Sequence, residues 1–328
     1  MTQSAFSLIT LGAIVALLQA APAQAANNKS WVANSGSDAN DCSLAHPCAT
    51  FQHAHDQTNP GGEVGVLTPG DYGSGLQITK SINITNDKTG EATIRVSANL
   101  TGISFNVADG DVMSLRGLIV DGQAIANIGI SFVRGSALHI QNCVVRNFEP
   151  SNSTGFGIIF EPAGSNPQQL FVSDTLIYNN GSFPGTAGIL VSGTFGGSGS
   201  LVLDRVHLEN NVDGIFINGK VSPGAGVRVI VRDSVISGNA ANGIHAATAA
   251  GRQPAFAVIE RSSIVNNRQN GILADGAGAT MLLNDSSVTR NAVGISTVNN
   301  GQLISYGNNR INNNIGADGT PTSFFSLN

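Results

Sequence analysis

Chemistry in this chain has to come from few side chains. Of 328 residues, 37 are charged (16 basic plus 21 acidic), or 11%, against roughly 25% in an average soluble protein. The candidates for acid–base work are Asp213, Lys220, His245, Arg252 and Asp275, with Glu161 and Arg268 near them in sequence segments that read as turns. A lysine or arginine could abstract a proton while a second cation neutralises a substrate carboxylate. Two carboxylates about 5–10 Å apart could hydrolyse a glycosidic bond. No metal site is expected, because no Cys pair stands with a His pair at ligand spacing. The net charge of −5 argues against nucleic acid as a partner, which calls for a basic surface.

The elements that must position these residues are legible in the composition. The chain holds 40 Gly and 34 Asn, costly inside helices but suited to tight turns between short strands. With 41% hydrophobic residues, it has enough apolar surface to fold. The pair Gly-Ile recurs at Gly102, Gly129, Gly157, Gly188, Gly214, Gly243, Gly271 and Gly294, at intervals of 23–31 residues. An aliphatic residue three positions before an Asn recurs as Val144/Asn147, Ile177/Asn180, Leu208/Asn211, Ile236/Asn239, Ile264/Asn267, Val288/Asn291 and Ile311/Asn314. Eight and ten residues before that Asn lie pairs such as Val172 and Leu170, or Val231 and Val229; this period of two marks one face of a strand.

Each repeat therefore holds three short strands: one opening at Gly-Ile, one aliphatic run, and one ending at the Asn. The spacing predicts an all-β, right-handed parallel β-helix with three strands per coil and coils stacked at ~4.8 Å. A leucine-rich repeat would need Leu five residues before the Asn, where Thr175, Ser234, Ser262 and Ser286 stand instead. A left-handed β-helix would repeat at about 18 residues, and that period is absent. The recurring Asn is expected to ladder at a turn, and the recurring Gly to supply a positive φ. Asp213, His245 and Asp275 are expected near one column on successive coils.

With these repeats in place, the chain over about 31–320 resembles the secreted right-handed β-helix proteins of the pectate-lyase-like superfamily. The stretch from Trp31-Val32-Ala33 to Cys48-Ala49-Thr50-Phe51-Gln52, then Leu67-Thr68-Pro69-Gly70-Asp71-Tyr72-Gly73, is similar to their N-terminal region, where a strand, a capping helix and a Pro-Gly-x-Tyr turn open the solenoid. Thr50 is the expected N-cap, with Phe51 and Ala54 facing the core. Residues 26–100 read as cap and first coils, and 101–328 as further coils and a C-terminal cap, with Phe324 and Phe325 folding over the last coil. The resemblance implies polysaccharide bound along the outer face of the first-strand sheet, and Ca²⁺ if the chain is a lyase.

The family's catalytic motifs are not intact. The polygalacturonase set is missing, Arg252-Gln253-Pro254 leads to Ala257 where pectate lyases carry a second Arg, and Gly70-Asp71-Tyr72-Gly73 leads to Ser74 where methylesterases carry Glu. Outward positions of the first strand are Ser131, Ile159, Leu190, Phe216, His245, Leu273 and Ser296. They read either as a stripe covered by the loops 161–169, 192–200 and 218–228, or as a binding surface for sugar or a subunit. A second pattern alternates in sign: Asp174, Arg205, Asp233, Arg261, Asp285 six residues before the Asn, and Ser173, Asp204, Arg232, Glu260, Asn284 seven before it. Stacked coils would turn this into a salt-bridge ladder.

The apolar run Leu8–Leu18 followed by Ala23-Gln24-Ala25 reads as a signal peptide over 1–25, and no later segment is a membrane-span candidate. Export allows Cys42 and Cys48 to form a local disulfide, with Cys143 a buried free thiol. The expectation is a secreted or periplasmic module that binds glycan or a protein partner along its elongated face, its oligomeric state unassigned. The rival is a polysaccharide lyase or glycoside hydrolase with an unrecognised site on the same face.

Overall fold

The structure, a computed structural model, describes residues 27–87, 89–151, 155–164, 166–193 and 196–325; the expected signal peptide lies outside them. Strand follows strand through three sheets in which every neighbour is parallel and one coil away. The first-strand sheet has nine strands, the second-strand sheet twelve and the third-strand sheet ten. The winding is right-handed, the hand that parallel crossovers take almost without exception. A helix, α1 (Phe51–Gln57), covers the N-terminal end. Thr50 caps it by accepting from the His53 N–H, and Phe51, Ala54 and His55 are buried beneath. Cys42 and Cys48 are joined beside it.

The aliphatic positions found by period fill the interior. Ile103, Ile130, Ile158, Ile189, Ile215, Ile244, Ile272 and Ile295 form one column of the first-strand sheet, each at most 3% exposed. The register also places Gly75-Leu76 in the Gly-Ile column, one coil before the first Gly-Ile pair.

The repeated Gly has a different purpose from the expected one. None of the eight has a positive φ; they are small because the solenoid interior crowds them. A Cβ on Gly214 would lie 2.5 Å from the Gly243 carbonyl oxygen and 2.7 Å from Ile236 Cγ2, and one on Gly243 or Gly271 would collide in the same way. Left-handed backbone falls elsewhere, at Asn142, Asp174, Arg205, Asp233, Arg261 and Asp285, which make the tight corner between second and third strands.

The Asn ladder is present, and every rung but the last, Asn314, is buried. Asn180, Asn211, Asn239, Asn267, Asn291 and Asn314 are linked by amide-to-amide bonds of 2.8–3.3 Å. From Asn211 on, each Oδ1 also accepts the backbone N–H of the Asn one coil before. Asn147 is not a rung: Phe148 pairs with Asn180 in register, and Asn147 precedes it with φ 61°. The Phe148 N–H donates to Asn180 Oδ1 and starts the ladder; Asp318 accepts from Asn314 and ends it. The small polar residues five before the Asn make a second ladder, in which the N–H groups of Val206, Ser234 and Ser262 donate to Ser234, Ser262 and Ser286 hydroxyls.

The alternating charges pair between coils. Arg205 forks onto Asp174 at 2.7 and 3.0 Å and also meets Asp204; Arg232 donates to Asp204 at 2.9 Å, and Arg261 forks onto Asp233 at 2.8 Å. At the C-terminal end, Phe324 and Phe325 do not fold over the last coil. Ser323–Phe324 add an edge strand to the second-strand sheet, which spends the chain on backbone pairing and leaves Phe324 65% and Phe325 47% exposed, Phe325 resting on Tyr306.

Candidate functional site

The outward row of the first-strand sheet is continuous in register: Ser104, Ser131, Ile159, Leu190, Phe216, His245, Leu273, Ser296. Ile159 and Leu190 are buried, whereas Phe216, His245 and Leu273 are half-buried. The described parts of the loops at 192–200 and 218–228 pack on each other. Buried Gln253 donates to the Gly193 carbonyl at 3.1 Å and reaches Ser222 and Pro223, and Ser222 also donates to Gly193. Coiling puts these loops at the C-terminal ends of the first strands, so they wall the face on that side. Phe216 and His245 stack face to face, 4.7 Å apart at 19°.

Two surface hollows flank the half-buried part of the row. One, of about 430 Å³, lies at the N-terminal ends of the strands and is lined by Ser182–Gly185, Asp213, Asn242, His245, Gln269 and Leu273 among others. Asp213 starts the strand Asp213–Asn218. Its Oδ1 accepts from the Asn242 backbone and amide at 2.8 and 2.9 Å, and Asn242 Oδ1 accepts from the Asn270 amide in turn. Its Oδ2 lies 3.4 Å from His245 Nδ1. His245 Nε2 and Ser182 Oγ are buried and have no hydrogen-bond partner among the described residues.

The other hollow, about 730 Å³, opens at the C-terminal ends and is lined by Lys220, Thr248–Arg252, Asp275–Gly278 and Asn299. Lys220 Nζ is 2.6 Å from Asp275 Oδ2, and Asn299 donates to Asp275 Oδ1 at 2.7 Å. Burial raises the Asp275 pKa, but these donors and the Lys220 charge outweigh it and hold the carboxyl below its usual range. Arg252 is exposed at the rim and makes no ion pair among the described residues.

The expected cluster of Asp213, His245 and Asp275 is therefore divided. Asp213 and His245 meet, but Asp275 aligns with Ala247 and Asn218 at the far end of the strands, five positions along from Asp213, or ~16 Å. Asp275 belongs instead with Lys220 and Arg252. Glu161 and Arg268 line neither hollow. Missed from the sequence were Asn242, Asn270, Asn299, Ser182 and Gln269. The signal for the first two was Asp213-Gly214-Ile215, Asn242-Gly243-Ile244 and Asn270-Gly271-Ile272, three amide-or-acid residues before the repeated pair.

The acids here do not make a Ca²⁺ site, which needs six to eight converging oxygens, because Asp213 and Asp275 stand apart and each is already bonded to donors. The single three-residue group of metal-ligating type among the described residues, Cys42, Cys48 and His53, has both sulfurs in the disulfide. Burial pushes the Cys143 thiol up to about 11, which leaves it unreactive at neutral pH.

No family model matches the chain, and no curated protein does. Among solved structures, a pectate lyase is similar at 18% identity and a TM-score of 0.57, over 82% of this chain and 76% of its own. An alginate lyase from Paenibacillus sp. is similar at 14% identity and a TM-score of 0.52, over 85% and 97%. The chain has the pectate-lyase-like parallel β-helix fold. No helix among the described residues is long and apolar enough to cross a membrane.

Proposed function

We propose that the protein is an exported β-helix module that binds an acidic glycan across its first-strand face. The observation that carries this reading is that hollows of about 430 and 730 Å³ flank the same three coils, with Arg252, a cation without an ion pair among the described residues, at the rim of the larger. Lys220, Arg252 and Asp275 together leave one positive charge there, suited to a uronate carboxylate. The similar structures, named for pectate and for alginate, support a carbohydrate ligand. Binding is favoured over turnover because Lys220 is tied to Asp275 and Asp213 to Asn242, so neither stands free as the base or acid a reaction would need.

One observation favours a second reading, a lyase or hydrolase. His245 contacts Asp213 through Nδ1, and its Nε2 has no hydrogen-bond partner among the described residues. A carboxylate-oriented histidine of this kind could serve as a general base.

Calorimetric titration with polyuronates and neutral glycans tests both. Polyuronate binding is expected, weakened about tenfold or more by Arg252→Ala, in line with one lost charge-assisted hydrogen bond. Absence of binding to every glycan would sink the first reading. A rise in ultraviolet absorbance from unsaturated ends would establish a lyase, and new reducing ends without that rise a hydrolase. Turnover lost in His245→Ala with binding kept would assign His245 as the base.

A further inference from the structure

Among the described residues, the second-strand sheet carries an apolar stripe left partly open to solvent. Its outward residues align in register as Phe171, Val202, Ile230, Val258, Leu282 and Ile304, six coils without a polar side chain, all half-buried. β-Propensity alone does not account for this. The outward row of the third-strand sheet reads Tyr178, Glu209, Ser237, Val265 and Thr289. On one side of the stripe runs Gln169, Ser200, Arg228, Phe256, Thr280 and Gln302; on the other, Ser173, Asp204, Arg232, Glu260 and Asn284. An apolar centre with a polar, charged rim is the anatomy of a protein interface.

The rim points to what covers it. We infer that the stripe is the interface of an antiparallel dimer, with a second copy of this chain packed face to face. Let a two-fold axis run along the strands, between the coils of Ile230 and Val258. The rows then meet themselves in reversed coil order: Ile230 faces the second copy's Val258, Val202 its Leu282 and Phe171 its Ile304. Arg232 faces Glu260 and Arg228 faces the Phe256 ring, each pairing made twice, as an isologous interface requires. Arg228 already lies over Phe256 within one copy at 5.3 Å, so the ring is a site a guanidinium can use. Rivals fare worse. An axis along the solenoid sets Arg228 against Arg232. An axis one coil earlier sets Leu282 against His139 and leaves Phe256 facing Gln169. The central pairs are those that stay in register if the sheets cross at the ~30° usual for packed sheets.

Size is sufficient. The three rows span about 14 Å across and about 24 Å along the axis. With a side-chain margin this covers roughly 600 Å² per copy, about 1,200 Å² in all, at the lower bound for specific interfaces. The first-strand face and its hollows lie on another side of the solenoid, so the dimer leaves them open.

Analytical ultracentrifugation of the full chain at roughly 10–100 µM should give twice the protomer mass. Ile230→Lys should give a monomer with an unchanged circular dichroism spectrum. Arg232→Glu should weaken the dimer at least tenfold, and adding Glu260→Arg should restore it. A monomer throughout this range, or a dimer indifferent to both Ile230→Lys and Arg232→Glu, would overturn the proposal. Failure of Glu260→Arg to restore the dimer lost in Arg232→Glu would overturn the register.

Discussion

At the scale of single residues, the most committed side chains are the ladder asparagines. Asn239 is fully buried. Its Nδ2 donates to Asn267 Oδ1 and to the Leu208 carbonyl, and its Oδ1 accepts from the Asn211 backbone and amide. Replacing it by Ala strands donors and acceptors on three neighbours, each a desolvated group worth ~1–3 kcal/mol. Asn239→Ala is therefore expected to lower the unfolding free energy by about 3–5 kcal/mol, read as a shift in the urea midpoint at constant slope. A loss below about 1 kcal/mol would mean that water enters and replaces the rung. Asp213 belongs to the same kind of device. One oxygen ends an amide ladder while the other meets His245, so a single carboxylate is shared between structure and the candidate site.

At the scale of elements, the first strand is defined by what its glycine lets approach. The Cβ absent from Gly214 makes room for the carbonyl of the next coil and for Ile236, and so lets stacked strands pack onto the third-strand corner. Gly214→Ala is expected to cost ~1–3 kcal/mol through overpacking. Gly110→Ala is the control, because it has no positive φ and nothing within 4 Å of its Cβ; it should be neutral or slightly stabilising. Thermal unfolding of the two variants checks this, and equal losses would contradict the steric account. The Gly-Ile signal was legible because its cause recurs on every coil. Its purpose was not, since a sequence shows that a side chain is excluded but not whether φ or a neighbour excludes it. Asn147 was misplaced for a similar reason. A local spacing of three fits Val144/Asn147 as well as Val145/Phe148, and only the pairing with Leu176–Asn180 decides.

At the scale of the whole molecule, stability should fall with acid in two stages. His55 is buried; burial lowers its pKa, and its Nε2 accepts from the Thr79 N–H, so it is neutral in the fold. Its contribution is present above the unfolded value of ~6.5 and is lost as pH falls from there toward the folded value. The second stage is carried by depressed carboxyls. Hydrogen bonds from Arg205 and Arg261 lower Asp174 and Asp233. Asp121 and Asp275 are lowered by their donors in spite of burial. What they contribute is present above ~3.9 and is lost as pH falls through their folded values. Urea midpoints at pH 8, 5 and 3 should show a mild loss and then a steep one, and His55→Gln should remove the first. A midpoint unchanged between pH 8 and 5 would contradict the role given to His55.

By itself the sequence determined the coil, its three strands, the inward columns, the Asn ladder and the alternating charges, because each recurs every 23–31 residues and stacking turns recurrence into contact. It also offered the five charged or titratable residues that the two hollows hold, but not the Asn242, Asn270, Asn299, Ser182 and Gln269 beside them. Only the tertiary structure decided their grouping. Asp213, His245, Lys220, Arg252 and Asp275 occur once each, and where a residue sits along its strand depends on inter-coil register and loop length, which a single occurrence cannot reveal. The same register divided these residues into two hollows and aligned Phe171 through Ile304 into one face. In a solenoid the local period writes the scaffold, and the offset between neighbouring coils writes the surface.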